Sequence, residues 1–383
     1  MKQFYLIILL LLTASSFSQN YPPTKKTPQT LEKHGLTYQD DYSWLERMGT
    51  PEVENWVDAQ NKLIQSHSNT ISAKIFPLAT LKKYQEKTNY RVPRKFGDYY
   101  YSLISYSDED RQTSSLGYKK SVDDNYIELV NPNFFYSSKT VNIIGYTPSK
   151  QAKFLAYKLM IDGSDQHEVR FVTINGGKKH KDILKNVKFS GMAWKGDEGI
   201  FYNRNSNTSQ FAADSTYRVY YHKLGTDVVD DKLIYDATQK KEQVSFFTSG
   251  DGTLLFLSVM DQDEKSSETY YADLKNETIE LKKLETAFTE DFSMQGYHNG
   301  KMFVSTDEAN WGDLRYFTLD NPKEVKVIIP QYQNQLLMGS EFYENRIVCK
   351  YKNLDGSYLM VFDYDGKLIK KIQTPKGMDV DVA

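Results

Sequence analysis

The sequence predicts an all-β protein, a β-propeller of about six four-stranded blades preceded by a short helical N-terminal segment. Three observations carry this. Aromatic residues are dense, with 29 Tyr and 20 Phe in 383 residues, an enrichment that favours strands over helices. From about Phe96 an apolar or aromatic run recurs six times, at 97–103, 153–157, 199–202, 252–257, 300–304 and 345–349; with Tyr99, Phe154, Ile200, Leu254, Met302 and Ile347 as markers, the spacings are 55, 46, 54, 48 and 45. A second run follows in each copy, at 115–119, 168–173, 218–222, 268–272, 314–318 and 358–362, and then a turn such as Asn175-Gly176-Gly177 or Asp365-Gly366. These are read as the first and second strands of each unit. A period of about 50 residues with four short strands suits a propeller blade, because one sheet cannot bury both faces alone and must stack on its neighbours.

The elements before the repeats are punctuated differently. Met1-Lys2-Gln3, the apolar run 4–14 and the small residues Ser15 to Gln19 have the three zones of a secretory signal peptide, with cleavage expected after Ser18. The run is far shorter than the ~20 apolar residues that span a bilayer, and no Cys follows it to carry a lipid. The expected product is exported, periplasmic or secreted, with no stable membrane span. An extended stretch with Pro22 and Pro23 comes next. A helix then starts at Thr50-Pro51-Glu52: Thr50 is expected to cap it, Pro51 suits its first position, and Val53, Trp56, Val57, Leu63 and Ile64 share one face. A second helix is expected over about 77–87, before Pro93 stops regular structure. The domain plan is thus a signal peptide at 1–18, an extended and helical segment at 19–90, and a propeller at 91–383.

Charge excludes several partners. With 48 basic and 50 acidic residues mixed along the chain, the net charge is −2, so no basic face for nucleic acid is expected and short peptides or proteins are the easier partners. The six histidines, His34, His67, His167, His180, His222 and His298, show no metal-binding spacing. No metal and no cofactor are expected. The acidic stretch 261–264 lacks the Gly and terminal Glu of a calcium loop, and Gly176-Gly177 lacks the Lys-Ser/Thr and the helix of a phosphate loop. Asp123-Asp124 and Asp230-Asp231 are read as solvated turn residues. Cys349, the only cysteine, is read as a buried bystander.

The segment from Tyr21 onward resembles the N-terminal half of the prolyl oligopeptidase family. Asp40 to Glu46 is similar to the family's Asp-x-Tyr-x-Trp-Leu-Glu motif, and Trp56-Val57-Asp58-Ala59-Gln60-Asn61 to its following helix. The stretches 187–194 with 199–203, and 219–227, are similar to long runs inside the family's propeller. The resemblance implies a serine endopeptidase that cleaves short peptides after proline. In that family a seven-bladed propeller covers an α/β-hydrolase domain that follows it.

A hydrolase of this type needs a Ser on a Gly-x-Ser-x-Gly elbow with a later acid and His, and no such elbow occurs in these 383 residues. Ser190-Gly191 and Ser249-Gly250 fall within the blade rhythm. No catalytic residue is therefore assigned. The expectation is an incomplete propeller with the hydrolase domain absent, silent alone, whose partner is a separate α/β-hydrolase chain. The helix face around Trp56, which in the family packs on the hydrolase, is expected to be left uncovered. The resemblance implies one substrate-binding candidate, Phe171, matching a family Phe that makes apolar contact with a peptide residue. A rival reading is an exported propeller that binds peptides or proteins through its loops without chemistry.

Overall fold

The computed structural model describes residues 21–75, 83, 87–107, 113–188, 190–205, 217–238, 242–261, 266–288, 292–375 and 377–380. The chain divides into two compact units, residues 1–87 and 88–383. The expected signal peptide, and nearly all of the expected second helix, lie outside the described residues.

In the first unit, strands Gln29–Lys33 and Leu36–Asp40 form a hairpin. His34 and Gly35 make its two-residue turn with φ of 54° and 75°, the left-handed pair that matches the twist of such hairpins. A helix spans Pro51–Ile75. Thr50 precedes it, but does not cap it as expected: its hydroxyl donates to the Arg47 carbonyl at 2.9 Å, while its own carbonyl accepts from the Glu54 N–H at 3.0 Å. The aromatic side chains find partners inside this segment. Trp44 is buried and meets Trp56 edge-on with centroids 6.4 Å apart, and their indole N–H groups donate to the Lys25 carbonyl at 2.9 Å and to Thr24 Oγ1 at 3.0 Å. Val57 and Ile64 are exposed on the helix.

The second unit is built of six antiparallel sheets in chain order. Blade 1 pairs Tyr99–Ser105 with Ser115–Lys119 and Ile127–Val130, and on its other side with two short strands, Asn89–Tyr90 and Arg94–Phe96. Pro93 lies in the break between these two, where a ring without an N–H cannot join a ladder. Blades 2 to 6 are regular four-stranded sheets that begin with Val141–Pro148, Met192–Lys195, Glu242–Thr248, Phe292–His298 and Leu336–Tyr343.

These first strands precede the marker runs, so the runs read from sequence as first and second strands are the second and third of each blade. The reason is burial. Leu155, Ala156 and Tyr157 in blade 2, Ile200, Phe201 and Tyr202 in blade 3, Leu255, Phe256 and Leu257 in blade 4, and Met302, Phe303 and Val304 in blade 5 are all buried. A strand covered on both faces carries an unbroken apolar run. First strands are less regular: register breaks fall immediately before Gly145, Gly296 and Gly339. Fourth strands range from the two residues Lys282–Lys283 to the wholly exposed Leu368–Gln373.

Five hydrophobic clusters join consecutive blades. One unites Tyr101 and Leu116 with Leu155 and Tyr157, and the next unites Phe171 and Leu184 with Trp194 and Ile200. The others link blades 3 and 4, 4 and 5, and 5 and 6. Each fully buried Leu, Ile or Phe contributes ~1.5–3 kcal/mol, so these clusters hold the blades together. Blades 1 and 6 stand within electrostatic reach, because Arg94 opposes the rise in the Tyr343 pKa that burial and Glu341 produce.

Candidate functional site

First strands of consecutive blades contact one another, blade 2 with 3, 3 with 4 and 5 with 6, so they surround the central axis. Where they end, a shallow cavity of about 250 Å³ opens across blades 2, 3 and 4, with walls that include Pro148, Met192, Trp194 and Phe247 and with Lys150 at its edge. The Trp194 indole N–H donates to the Thr147 carbonyl at 2.9 Å, which ties blade 3 to blade 2 and fixes the ring. The Lys150 stem lies over Gly252 of blade 4, at 3.9 Å from where a Cβ would stand. Burial, and then the Lys150 charge, hold His298 of blade 5 below its ordinary pKa, with Asp251 opposing. Walls that mix these apolar side chains with Thr147, Thr248 and Ser249, together with one ammonium, can hold a peptide segment. The Ser249 hydroxyl in this lining donates to Asp251 Oδ1 at 2.5 Å.

The turns at this end are built alike. Ser149 Oγ accepts the Phe154 N–H at 3.0 Å, and Ser249 Oγ accepts the Leu254 N–H at 3.0 Å, so each serine closes the turn into the second strand of its blade. Ser190 Oγ likewise accepts the Asn203 N–H at 2.7 Å. Ser190 and Ser249 are thus engaged with backbone.

Phe171 is wholly buried between blades 2 and 3. Its ring meets Trp194 edge-on at 5.9 Å and stacks on His222 at 6.2 Å. It therefore stands one layer behind the cavity and backs the Trp194 ring that lines it. Met192 and Trp194 lie in the stretch 187–194 that resembles the family's propeller, whereas Lys150 and Phe247 carry no sequence signal, because each lies in a turn or strand end of ordinary composition in another blade.

Beneath Phe171 is a charged network. His222 Nδ1 lies 2.7 Å from Asp231 Oδ1 and Nε2 lies 3.2 Å from Asp182 Oδ2, and all three side chains are enclosed. Tyr202 donates to Asp231 Oδ2 at 2.6 Å and the Gly225 N–H donates to Asp182 Oδ2 at 2.5 Å. Burial alone would lower the His222 pKa, but the hydrogen bond and charge of Asp231, followed by those of Asp182, hold it above the ordinary value. Burial and the bond to Asp231 push the Tyr202 phenol up. With a carboxylate on each ring nitrogen, His222 has no free lone pair for a general base. The network is an internal tie between blades.

Asp231 corrects the reading of Asp230-Asp231 as a solvated pair: Asp230 is exposed, but the Asp231 carboxylate is interior. Asp123 and Asp124 do sit in an exposed turn, and Gly176 and Gly177, with φ of 86° and 62°, turn the chain between Thr173 and Lys178. Cys349 is buried, with its thiol pushed up to about 11 by burial. Of the acidic stretch 261–264, only Asp261 lies within the described residues.

Six four- and five-stranded antiparallel sheets in chain order, each packed on the next, define a β-propeller domain. Residues 22–382 match the family of the prolyl oligopeptidase N-terminal β-propeller domain, and the chain belongs to that family. It is 27% identical over 373 residues to a prolyl endopeptidase of Elizabethkingia miricola, covering 94% of this chain and 51% of the relative. A dual function macrocyclase-peptidase of Galerina marginata is 23% identical over 359 residues, covering 83% of this chain and 48% of that protein. Among solved structures, a prolyl endopeptidase superposes with a TM-score of 0.78 at 19% identity, over 93% of this chain and 53% of that one. The prolyl oligopeptidase B of Galerina marginata bound to a 35mer substrate gives 0.77 at 21% identity, over 92% and 54%. The chain spans about half the length of the curated relatives it matches.

Proposed function

We propose that this propeller serves a prolyl oligopeptidase-type serine endopeptidase as its substrate-screening half, restricting which peptides reach a Ser-His-Asp site carried by an α/β-hydrolase partner. The observation that carries the reading is the family match over nearly the whole chain, on a β-propeller fold with a cavity at the ends of its first strands. Proline preference comes by analogy with the relatives. The chain alone has no turnover, because attack on an amide needs an activated hydroxyl and a prepared oxyanion site. Export before assembly is part of the proposal and is supported by the charged, apolar and small-residue zones of residues 1–19. Among the described residues no helix is long and apolar enough to cross a membrane.

The test is a fluorogenic proline-containing peptide offered first to the purified chain and then to the chain mixed with an α/β-hydrolase half of a family member. The expected result is no cleavage by the chain alone, and an altered size cut-off for peptides when the halves are mixed. Activity that stays with the pure chain through successive columns would overturn the proposal.

A further inference from the structure

The outermost strand of blade 2, Lys179–Val187, is an edge of its sheet. Along it Lys179, Lys181 and Lys185 are exposed, whereas Asp182, Leu184 and Val187 are buried. Asp182, its one acidic residue, spends its carboxylate inward on His222 and the Gly225 N–H. With Lys178 in the turn before it, the strand therefore shows solvent a row of ammonium groups and no carboxylate, on a chain whose net charge is −2. The fourth strands of the next three blades are balanced: Asp236 pairs with Arg218 at 3.0 Å, Lys283 with Glu268 at 2.7 Å and Lys326 with Glu324 at 2.9 Å. Among the described residues Lys178, Lys179, Lys181 and Lys185 meet no carboxylate.

One end of this row is held in place. Lys179 Nζ lies 4.6 Å over the Phe135 ring, and Arg170 lies over Phe135 and Tyr136 at 5.0 and 5.7 Å and donates to the Tyr136 hydroxyl at 2.8 Å. Arg170 is balanced by Glu168 at 2.7 Å, so it fixes this aromatic shelf and adds no net charge. The segment bearing the rings is itself anchored: Asn133 Oδ1 accepts the Thr113 N–H and its Nδ2 donates to the Thr113 carbonyl, each at 3.0 Å. A partner meets the row with little left to order.

Two features select that partner. Side chains two residues apart on a strand stand ~6.6–6.8 Å apart, and the alternate side chains of a strand laid beside it repeat at the same interval. The outer edge also carries backbone N–H and C=O groups that no other strand pairs among the described residues. These fit another peptide backbone, which neither a lipid headgroup nor a nucleic acid offers. Lysine on an edge discourages apolar and basic strands, but opposite charges facing across a ladder stabilise it.

We infer that the outer strand of blade 2 is a docking edge for an extended acidic peptide segment, which adds to the sheet as a further strand and sets carboxylates against Lys179, Lys181 and Lys185. The surface stands apart from the peptidase reading, because its probes contain no proline and no cleavage is read.

The experiment is fluorescence anisotropy of labelled short peptides titrated with the whole chain at low salt. One peptide alternates Glu and Thr, a second has Gln in place of every Glu, and a third is the first with its backbone amides N-methylated. The first should bind, less tightly as salt rises, and the other two should not. Lys181→Glu combined with Lys185→Glu should weaken binding about tenfold or more with the melting temperature unchanged, because both side chains are exposed and unpaired. Lys370→Glu, on the exposed outer strand of blade 6, should bind as the wild type does. No binding of the first peptide, equal binding of the second or third, undiminished binding to the double variant, or an equal loss in Lys370→Glu would overturn the assignment. So would tighter binding to phosphatidylserine vesicles or to single-stranded oligothymidylate than to the first peptide, which would give the row to an anionic surface or to a nucleic acid.

Discussion

His222 Nδ1 stands 2.7 Å from Asp231 Oδ1 inside blade 3, and the same ring reaches Asp182 of blade 2, so one imidazole ties two blades together from within. Its folded-state pKa is raised. The stabilisation is therefore present in full below the unfolded value of about 6.5 and is lost as pH rises through the folded value. Urea unfolding between about pH 5 and pH 9 should show the wild type losing stability with rising pH relative to His222→Gln. Parallel curves would refute the linkage.

Asp231→Asn should cost ~3–5 kcal/mol, because it leaves His222 and Tyr202 enclosed with the wrong partner. Asp230→Asn, one residue away and exposed, should change stability by less than ~0.5 kcal/mol. Chemical denaturation of the two variants measures the contrast.

Phe171→Ala should cost ~3–5 kcal/mol, as for other fully buried aromatics, and Phe171→Leu clearly less. Because Phe171 backs Trp194, intrinsic tryptophan fluorescence of the folded Ala variant should also shift as the indole gains freedom. A variant of unchanged stability would mean that the ring is not enclosed in solution.

Gly199→Ala should destabilise by ~1–3 kcal/mol or more, since a Cβ at this position would lie 2.2 Å from the His222 carbonyl oxygen and 2.7 Å from the Tyr221 hydroxyl. The position has no left-handed backbone to relieve, so the cost is one of space, and thermal melts will read it.

The Cys349 thiol should resist a disulfide reagent in the native protein and react fully in denaturant, because it is buried and its pKa is pushed up to about 11. Rapid native labelling would show that blade 6 opens easily.

What could be read from the sequence follows burial. Runs such as Leu254 to Leu257 and Met302 to Val304 are legible because a strand covered on both faces shows no polar interruption. First strands are hidden by shortness and by glycine-linked register breaks: Met192–Lys195 has four residues, and the pairing of Leu336–Tyr343 slips before Gly339. The tie among Asp182, His222 and Asp231 joins residues 40 and 9 positions apart, a separation at which no local spacing announces a contact. The cavity lined by Lys150, Trp194 and Phe247 was out of reach for the same reason. Phe171 was found through a family motif. Its depth, one layer behind the cavity wall, needed coordinates.

Because each of the five hydrophobic clusters joins only consecutive blades, stability in the propeller behaves as a series of nearest-neighbour couplings. Damage to one link lowers the cost of parting two blades while the others keep their own contacts. The blade 2 and blade 3 link carries a buried ionic tie besides its apolar contacts, so protonation acts on one junction of the series and leaves the remaining links as they were.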